Sequence, residues 1–191
     1  MIIGITGGTG CGKTTLLKEI EARGGLVLDC DAVYHELLTR DCALLNAIEN
    51  RFPGVVVDKK LERKKLGAIV FADEQALMDL NAITHGAIKA EFVRRLSENP
   101  KLAAIDAIAL FEGGLAELCH TTVAVTAPED IRIARLMQRD GITEEYARNR
   151  IAAQKSNDHY AGLCTHTLEN NGTKEEFQAK CLAFLQGVGI M

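Results

Sequence analysis

Residues 1–15 read MIIGITGGTGCGKTT, and this stretch decides the fold. Its apolar start, Ile2–Thr6, is typical of a strand that is covered on both faces, as strands of parallel sheets are. A glycine-rich segment follows, and a helical pattern then runs over residues 13–22 until Gly24 and Gly25 end it. A buried strand, a glycine-rich loop and a helix in this order predict an α/β fold with a parallel sheet.

Residues 7–14, GGTGCGKT, match the pattern of a glycine, any four residues, and then Gly-Lys-Ser/Thr. Glycines in such a loop let successive backbone N–H groups point inward at phosphate oxygens. We expect Lys13 to bring a positive charge to the terminal phosphates of a nucleotide, and Thr14 to bind Mg²⁺, partly through water. The strand before the loop and the helix after it are the context that this motif requires, so they favour a nucleotide site over a simple glycine-rich turn.

The composition excludes several classes of protein. The chain has 191 residues, a length typical of one domain, and a formal net charge of −4, whereas nucleic-acid binding depends on clustered Lys and Arg. No segment has the roughly 20 apolar residues of a membrane helix, and the N-terminus does not resemble a signal peptide. The six cysteines are scattered without metal-binding spacing, as in reduced cytosolic proteins. We therefore expect a cytoplasmic protein that binds neither nucleic acid nor membranes.

The rest of the chain divides into regions of different pattern. Further strands are predicted at residues 26–28, 55–57, 102–111, 121–127 and 165–168, and helices at Glu74–Leu96, after Pro128, and after a Thr173/Glu176 capping box. The mostly helical stretch at about residues 39–100 is far longer than a crossover between two strands needs. We predict a single domain with a core at about residues 1–38, 101–139 and 157–191, a helical acceptor-binding insertion at about 39–100, and a lid at about 140–156.

Two acidic residues follow the second predicted strand. Ligands of open α/β sheets bind beyond the carboxyl ends of the strands, so Asp29 and Asp31 are candidates for a proton acceptor or for a carboxylate that holds Mg²⁺ through water. The alternative is that either residue caps the helix that begins near Ala32, and this interpretation is stronger for Asp29. Asp106 falls in the middle of the predicted strand 102–111, which makes it a poor match to the Mg²⁺-binding aspartate that ends a strand in ATPase motors.

Arginines form a second group of candidates. Arg132, Arg135 and Arg139 are spaced three and four residues apart, so they share one face of a helix, and Arg150 follows in a second helix. A pair of arginine-rich helices suits a lid that closes over a triphosphate and excludes water. The alternative is an ordinary solvated face, with the arginines paired to nearby glutamates.

Eight blocks of sequence are distributed over almost the whole chain. They read GITGGTGCGKTT (4–15), LDCD (28–31), HELL (35–38), LNAITH (80–85), LFE (110–112), RLMQRDG (135–141), RIAAQ (150–154) and NNG (170–172). In their identity and order, these blocks resemble the dephospho-coenzyme A kinase family. The resemblance implies a three-layer P-loop NTPase core with a parallel sheet, a helical insertion and a helical lid. It also implies transfer of the γ-phosphoryl group of ATP, with Mg²⁺, to the ribose 3′-hydroxyl of dephospho-CoA.

The resemblance also implies roles for particular residues. Asp31 matches the proposed base and acceptor contact of the family, and His85 matches a motif on the floor of the acceptor pocket. The catalytic set would be Asp31, Lys13 and Arg139. The ATP-binding set would be Gly7, Gly8, Gly10, Cys11, Gly12, Lys13, Thr14, Thr15, Arg135, Arg139, Arg150 and Asn171, the last from a loop near adenine. The partners would be ATP and dephospho-CoA, and the protein would be a monomer or a weak homo-oligomer.

The chain departs from the common pattern of this family at three places. It has Gly86 after His85, and Ala109 before the LFE block, where the family commonly has proline, and it has Cys11 where serine is usual. Cys11 is either a small residue suited to a tight loop or a thiol whose pKa is lowered by the helix N-terminus, which would make it oxidisable. Two other functions stay open: a kinase for another small acceptor, and a catalytically inactive nucleotide sensor.

Overall fold

The computed structural model describes residues 1–40 and 42–191. The strands are β1 (Ile2–Thr6), β2 (Leu26–Asp29), β3 (Val56–Val57), β4 (Lys60–Leu61), β5 (Ala103–Asp106), β6 (Thr121–Thr126) and β7 (His166–Glu169). The helices are α1 (Lys13–Glu21), α2 (Cys30–Arg40), α3 (Cys42–Arg51), α4 (Arg63–Val70), α5 (Glu74–Leu96), α6 (Glu129–Asp140), α7 (Glu144–Ala152), α8 (Asn157–Leu163) and α9 (Lys174–Gly187), with a short 3₁₀ turn at Ala116–Leu118.

Five of the strands form one parallel sheet in the order β2-β5-β1-β6-β7. Side chains of successive strand residues point to opposite faces, so the sheet divides the apolar residues into two clusters. On one face, Ile3 and Ile5 pack with α1 and α9. On the other face, Leu28 and Ile105 pack with α2, α3 and α5. The predicted α/β fold with helices on both faces of a parallel sheet is therefore confirmed.

The carboxyl ends of all five parallel strands lie at one edge of the sheet. The glycine-rich loop follows β1. Asp29 is the last residue of β2, Asp31 comes two residues later, and Asp106 is the last residue of β5. At the same edge, Pro128 precedes α6, and Asn170 follows β7. Ligand sites of open α/β sheets lie at this edge, so the topology brings candidate residues from distant parts of the chain together.

The strand predicted at residues 102–111 is wrong in its length. Strand β5 is paired with β1 and β2, and its pairing ends where those strands end, at Asp106 beside Ile5 and Asp29. The apolar residues beyond it turn away from the sheet, and Gly114 adopts a left-handed conformation (φ 64°) in that turn. The strand therefore ends on an aspartate, although the apolar pattern continues beyond it.

Several local predictions are confirmed. Helix α5 spans the predicted residues, and the side chain of Asp73 caps it by accepting hydrogen bonds from the N–H groups of Gln75 and Ala76. The capping box of Thr173 and Glu176 begins α9. The bounds of the proposed insertion and lid stay predictions. Among the described residues, no helix combines the length and the apolarity that crossing a membrane requires.

Candidate active site

The loop between β1 and α1 has a backbone that only glycines adopt easily. Gly7 (φ 136°), Gly10 (φ 79°) and Gly12 (φ 98°) all have positive φ values. A Cβ atom on Gly7 would lie 2.1 Å from the carbonyl oxygen of Val125, and one on Gly12 would lie 2.3 Å from the side-chain nitrogen of Asn170. Gly12 caps α1 without a side-chain hydrogen bond, so the first N–H groups of the helix are available to an anion.

Lys13 lies across the mouth of this loop. Its Nζ atom donates a hydrogen bond of 3.0 Å to the carbonyl oxygen of Gly7 and lies 3.8 Å from Oδ1 of Asp106. The side chain is 14% exposed, so its charge is only partly screened by water. Lys13 therefore points toward the space that the loop surrounds, as expected for a cation that binds terminal phosphates.

A cavity of about 830 Å³ opens over the loop. Nine of the residues predicted from the sequence as site residues line it: Gly8, Gly10, Gly12, Lys13, Thr14, Asp31, Arg135, Arg139 and Arg150. It is also lined by residues that were not predicted, namely Asp106, Gln138, Gln154 and Lys174. Gly7, Cys11, Thr15 and Asn171 are not among the lining residues.

A second cavity of about 370 Å³ lies between the sheet edge and α5. One wall consists of the α5 residues Leu80, Asn81, Thr84, His85 and Ile88, and Tyr34 lies on the opposite side. Burial lowers the pKa of His85, although the nearby Glu112 opposes that effect, so the imidazole is favoured in its neutral form. The two cavities share Lys13, Asp31, Asp106 and Ile108, so they meet at these residues.

Asp106 is a functional candidate that the sequence pattern disfavoured, because it placed this residue in the middle of a strand. Its side chain is 17% exposed, and burial raises its pKa to about 6, with Lys13 lowering it and Asp29 and Asp31 raising it. Within the described residues, Oδ1 is buried and has no hydrogen-bond partner. The sequence holds no signal for this residue, because its register beside Asp29, at the end of the neighbouring strand, is a property of the sheet.

Asp29 and Asp31 have different roles. Oδ1 of Asp29 accepts a hydrogen bond of 3.0 Å from the N–H of Ala32, so Asp29 caps the start of α2, as the stronger interpretation of this residue predicted. Asp31 is exposed in the first turn of α2 and lines both cavities. His35 contacts the backbone oxygen of Asp31 at 2.7 Å, so this hydrogen bond leaves the carboxylate available to a ligand.

The arginines of α6 lie at different depths. Arg132 is buried beneath the loop, where its Nε atom donates to the carbonyl oxygen of Thr9. Arg135 is half-buried and donates to the carbonyl oxygen of Gly10 at 3.3 Å. Arg139 is exposed and, together with Arg150 from α7, contacts the carboxylate of Asp140. Hydrogen bonds from these two arginines, above all Arg139, lower the pKa of Asp140 to about 2.

Asn170 and Asn171 are adjacent in the sequence but have different surroundings in the structure. Asn170 is buried, its Nδ2 atom donates to the carbonyl oxygen of Cys11 at 2.8 Å, and its Oδ1 atom accepts from Arg135 at 2.9 Å. Asn171 is exposed, and its amide oxygen accepts a hydrogen bond from Lys180. The family resemblance implies Asn171 for ATP, whereas Asn170 is the residue that hydrogen-bonds to the phosphate loop. A role for Asn171 at adenine stays a prediction.

Cys11 is fully buried in the loop. Burial raises the pKa of its thiol, despite the opposing charges of Arg132 and Lys13, so the thiol is favoured over the thiolate. The thiolate is the form that peroxides oxidise, and its low population supports the interpretation of Cys11 as a small loop residue.

Comparison with known proteins adds an independent finding. A family model described as dephospho-CoA kinase matches residues 1–176 of the chain. The dephospho-CoA kinase of Anaeromyxobacter dehalogenans is 38% identical, and the match covers 97% of this chain and 92% of that protein. The dephospho-CoA kinase of Geobacillus kaustophilus is 34% identical, with 97% and 96% covered.

Solved structures resemble this one over nearly the whole chain. The crystal structure of a Thermus thermophilus protein superposes with a TM-score of 0.85 at 30% identity, covering 100% of this chain and 98% of that one. A shikimate kinase from Bacteroides thetaiotaomicron superposes with a TM-score of 0.59 at 14% identity, covering 100% and 99%. The second likeness concerns the fold alone.

Proposed function

The chain belongs to the dephospho-CoA kinase family, and from this premise we propose which of its residues carry out the reaction. The family catalyses the last step of coenzyme A biosynthesis, in which ATP phosphorylates the ribose 3′-hydroxyl of dephospho-CoA to give coenzyme A and ADP. The observation that carries the proposal is the junction of the two cavities at Lys13, Asp31 and Asp106. One cavity suits the triphosphate and the other suits the acceptor, so the reacting groups would meet at this junction.

The large cavity is the ATP site of this proposal. Backbone N–H groups of the loop and the start of α1 bind the phosphates, and Lys13 holds the terminal ones. Arg139 and Arg150 approach from the other side, where they neutralise the charge that spreads over the transferring phosphoryl group. Gly141 (φ 65°) ends α6 and separates these two arginines, so α7 is able to act as a lid over the site.

The small cavity receives the acceptor. Asp31 accepts the proton of the ribose 3′-hydroxyl as its oxygen forms a bond to the γ-phosphorus and the bond to the β,γ-bridging oxygen breaks. ADP leaves with the electron pair of that bond. His85, neutral and on the α5 wall, contacts the acceptor without adding a charge.

Mg²⁺ is expected with ATP, and the residues present suit it. Thr14 lines the same cavity as Asp106, whose buried Oδ1 atom lacks a hydrogen-bond partner among the described residues. Thr14 would bind the ion directly and Asp106 through water, because hard cations prefer oxygen ligands. When bound, the ion neutralises charge on the β- and γ-phosphates.

A coupled assay of ADP release tests the proposed function. The full-length protein is supplied with MgATP and, in separate reactions, dephospho-CoA, AMP, CMP, uridine or pantothenate. We expect turnover with dephospho-CoA and with none of the other four acceptors. We expect Lys13→Ala to weaken ATP binding and to lower the turnover rate. Turnover with AMP or uridine but not with dephospho-CoA would indicate another small-molecule kinase, and ATP binding without turnover on any acceptor would indicate a nucleotide sensor.

A further inference from the structure

Arg132 is a buried cation that has no anionic partner within residues 1–40 and 42–191. Its side chain lies under the phosphate loop, where the residue is 3% exposed. Across the part of the chain that the structure describes, no ion pair includes Arg132, whereas Arg139 and Arg150 each contact the carboxylate of Asp140. A buried charge that lacks a counter-ion is unfavourable, so a ligand that supplies the missing negative charge would be bound more tightly.

The guanidinium of Arg132 is packed directly against the backbone of the loop. Its Nε atom donates to the carbonyl oxygen of Thr9 at 2.8 Å. A Cβ atom on Gly8 would lie 2.3 Å from the Nη2 atom of Arg132, so there is no room for a side chain between them. The positive charge of Arg132 also acts inside the loop. It lowers the pKa of the Cys11 thiol, against the larger effect of burial, which raises it.

Gln154 joins the loop to the end of the lid segment at the same place. Its Oε1 atom accepts one hydrogen bond from the N–H of Thr9 at 2.8 Å and another from Nη2 of Arg132 at 3.2 Å. The amide is uncharged, so it satisfies the hydrogen-bond donors but leaves the positive charge of Arg132 without an anion. Both polar atoms of the Thr9 backbone are therefore held by side chains from α6 and from the segment after α7.

We propose that Arg132 is a positioning residue for ATP: it holds the loop backbone at Thr9, and the triphosphate of bound ATP is the counter-ion of its buried charge. The inference rests on the proposed function, which assigns the phosphates of ATP to this loop. Arg132 is not among the residues that line the large cavity. It acts through the loop and through its electric field, without contacting the nucleotide.

The test uses wild type, Arg132→Met, Arg132→Lys and, as a matched control, Arg23→Met. Arg23 is a partly buried arginine that follows α1, pairs with Glu19, and lines neither cavity. For each protein, calorimetry gives the Kd for MgATP, thermal unfolding gives Tm with and without MgATP, and steady-state kinetics separate KM from kcat.

We expect Arg132→Met to raise the Kd for MgATP about tenfold, because a buried charge is screened less than an exposed one. The ATP-induced rise in Tm should shrink, while Tm without ATP is retained or raised. Arg132→Lys keeps the charge and should bind MgATP within about threefold of wild type, and Arg23→Met should bind it like wild type.

Two results would overturn the inference. A lower Tm of unliganded Arg132→Met with an unchanged ATP-induced rise would mean that Arg132 serves packing alone. Equal losses of ATP affinity in Arg132→Met and Arg132→Lys would mean that the charge has no role. If wild type itself neither binds MgATP nor releases ADP, the proposed function fails first, and the inference fails with it.

Discussion

The Nζ atom of Lys13 lies 3.8 Å from Oδ1 of Asp106 at the junction of the two cavities. Lys13 begins α1 and Asp106 ends β5, so the parallel pairing of β1 with β5 sets this distance. Burial raises the pKa of Asp106 to about 6 even though Lys13 opposes the shift. The protein therefore keeps an unfavourable carboxylate at the proposed reaction site, which is typical of groups retained for function.

Replacing Asp106 by asparagine should lower activity while raising stability. Between about pH 4 and 6, Asp106 is protonated in the folded protein but ionised in the unfolded chain. The contribution of this group to the free energy of unfolding therefore falls as the pH rises through that window. Above pH 6 the ionised carboxylate costs stability, and Asp106→Asn should increase the free energy of unfolding at pH 7.5 by roughly 2 kcal/mol. We expect kcat/KM to fall about 10- to 100-fold, as for other residues that orient a metal through water.

The pH profile gives a second measurement on Asp106. In wild type, kcat/KM should fall as the pH drops below about 6, because the carboxylate becomes protonated. This acid limb should disappear or shift in Asp106→Asn. A destabilised variant with an unchanged pH profile would contradict the functional assignment.

Asp31 and Asp29 form a matched pair for testing the base. Asp31→Asn should lower kcat by about 10²- to 10⁴-fold with the Kd for ATP nearly unchanged, the range expected when a general base is lost. Asp29→Asn should retain activity, since asparagine caps a helix as well as aspartate does. If Asp31→Asn affected only the affinity for ATP, Asp31 would instead be a Mg²⁺ ligand.

Asn170 and Asn171 should differ when each is replaced by alanine. Asn170→Ala removes the 2.8 Å hydrogen bond to the carbonyl oxygen of Cys11 and the acceptor of the Nη2 atom of Arg135, and it leaves Cys11 with only a 3.5 Å hydrogen bond from Arg135. We therefore expect a loss of about 1–3 kcal/mol in the free energy of unfolding and a higher KM for ATP. Asn171→Ala should change the free energy of unfolding by less than about 0.5 kcal/mol. Chemical denaturation and ATP titration separate the two outcomes, and equal destabilisation by both changes would refute the distinction.

Glu91 should control how α5 docks onto α2. Its carboxylate is 8% exposed and pairs with Arg94 and Arg95, and Arg95 also contacts Glu36 of α2. Hydrogen bonds from Arg94 and Arg95 lower the pKa of Glu91 to about 2, so its stabilisation is present above about pH 4.5 and is lost as the pH falls toward 2.

Glu91→Gln should therefore reduce the free energy of unfolding at pH 7 by about 2 kcal/mol and by progressively less at lower pH. Urea denaturation at several pH values measures this difference. The exposed Glu21 provides the control, because Glu21→Gln should stay within about 0.5 kcal/mol of wild type at every pH. A deficit in Glu91→Gln that is independent of pH would contradict the role of its charge.

Features that depend on residues close together in the sequence were predictable from it. The pattern of residues 7–14 specifies a glycine-rich phosphate loop because Gly7, Gly10 and Gly12 take positive φ values that other residues rarely adopt. The bounds of α5 and the capping box of α9 follow from helix period and cap residues within a few positions of each other. The blocks that resemble dephospho-CoA kinases also lie in the primary sequence, so the family could be inferred without a structure.

Only the tertiary structure decided what each candidate side chain does. Arg132 and Arg139 belong to one arginine series in the sequence, yet the first is buried against Thr9, 123 positions away, and the second is exposed. Asn170 and Asn171 are adjacent and identical, yet only Asn170 donates to Cys11, 159 positions away. Burial and hydrogen-bond partners arise from such distant contacts, whereas periodicity and motifs report only on local ones.

Asp106 shows the same limit at the proposed reaction site. Its pairing ends there, beside Ile5 of β1 and the last residue of β2, and that partnership is a property of the sheet that no local pattern contains. The fold class, the phosphate loop and the family follow from the sequence alone. The sheet determined that Asp106 faces Lys13, because strand pairing sets where each carboxylate leaves the sheet and how much water surrounds it.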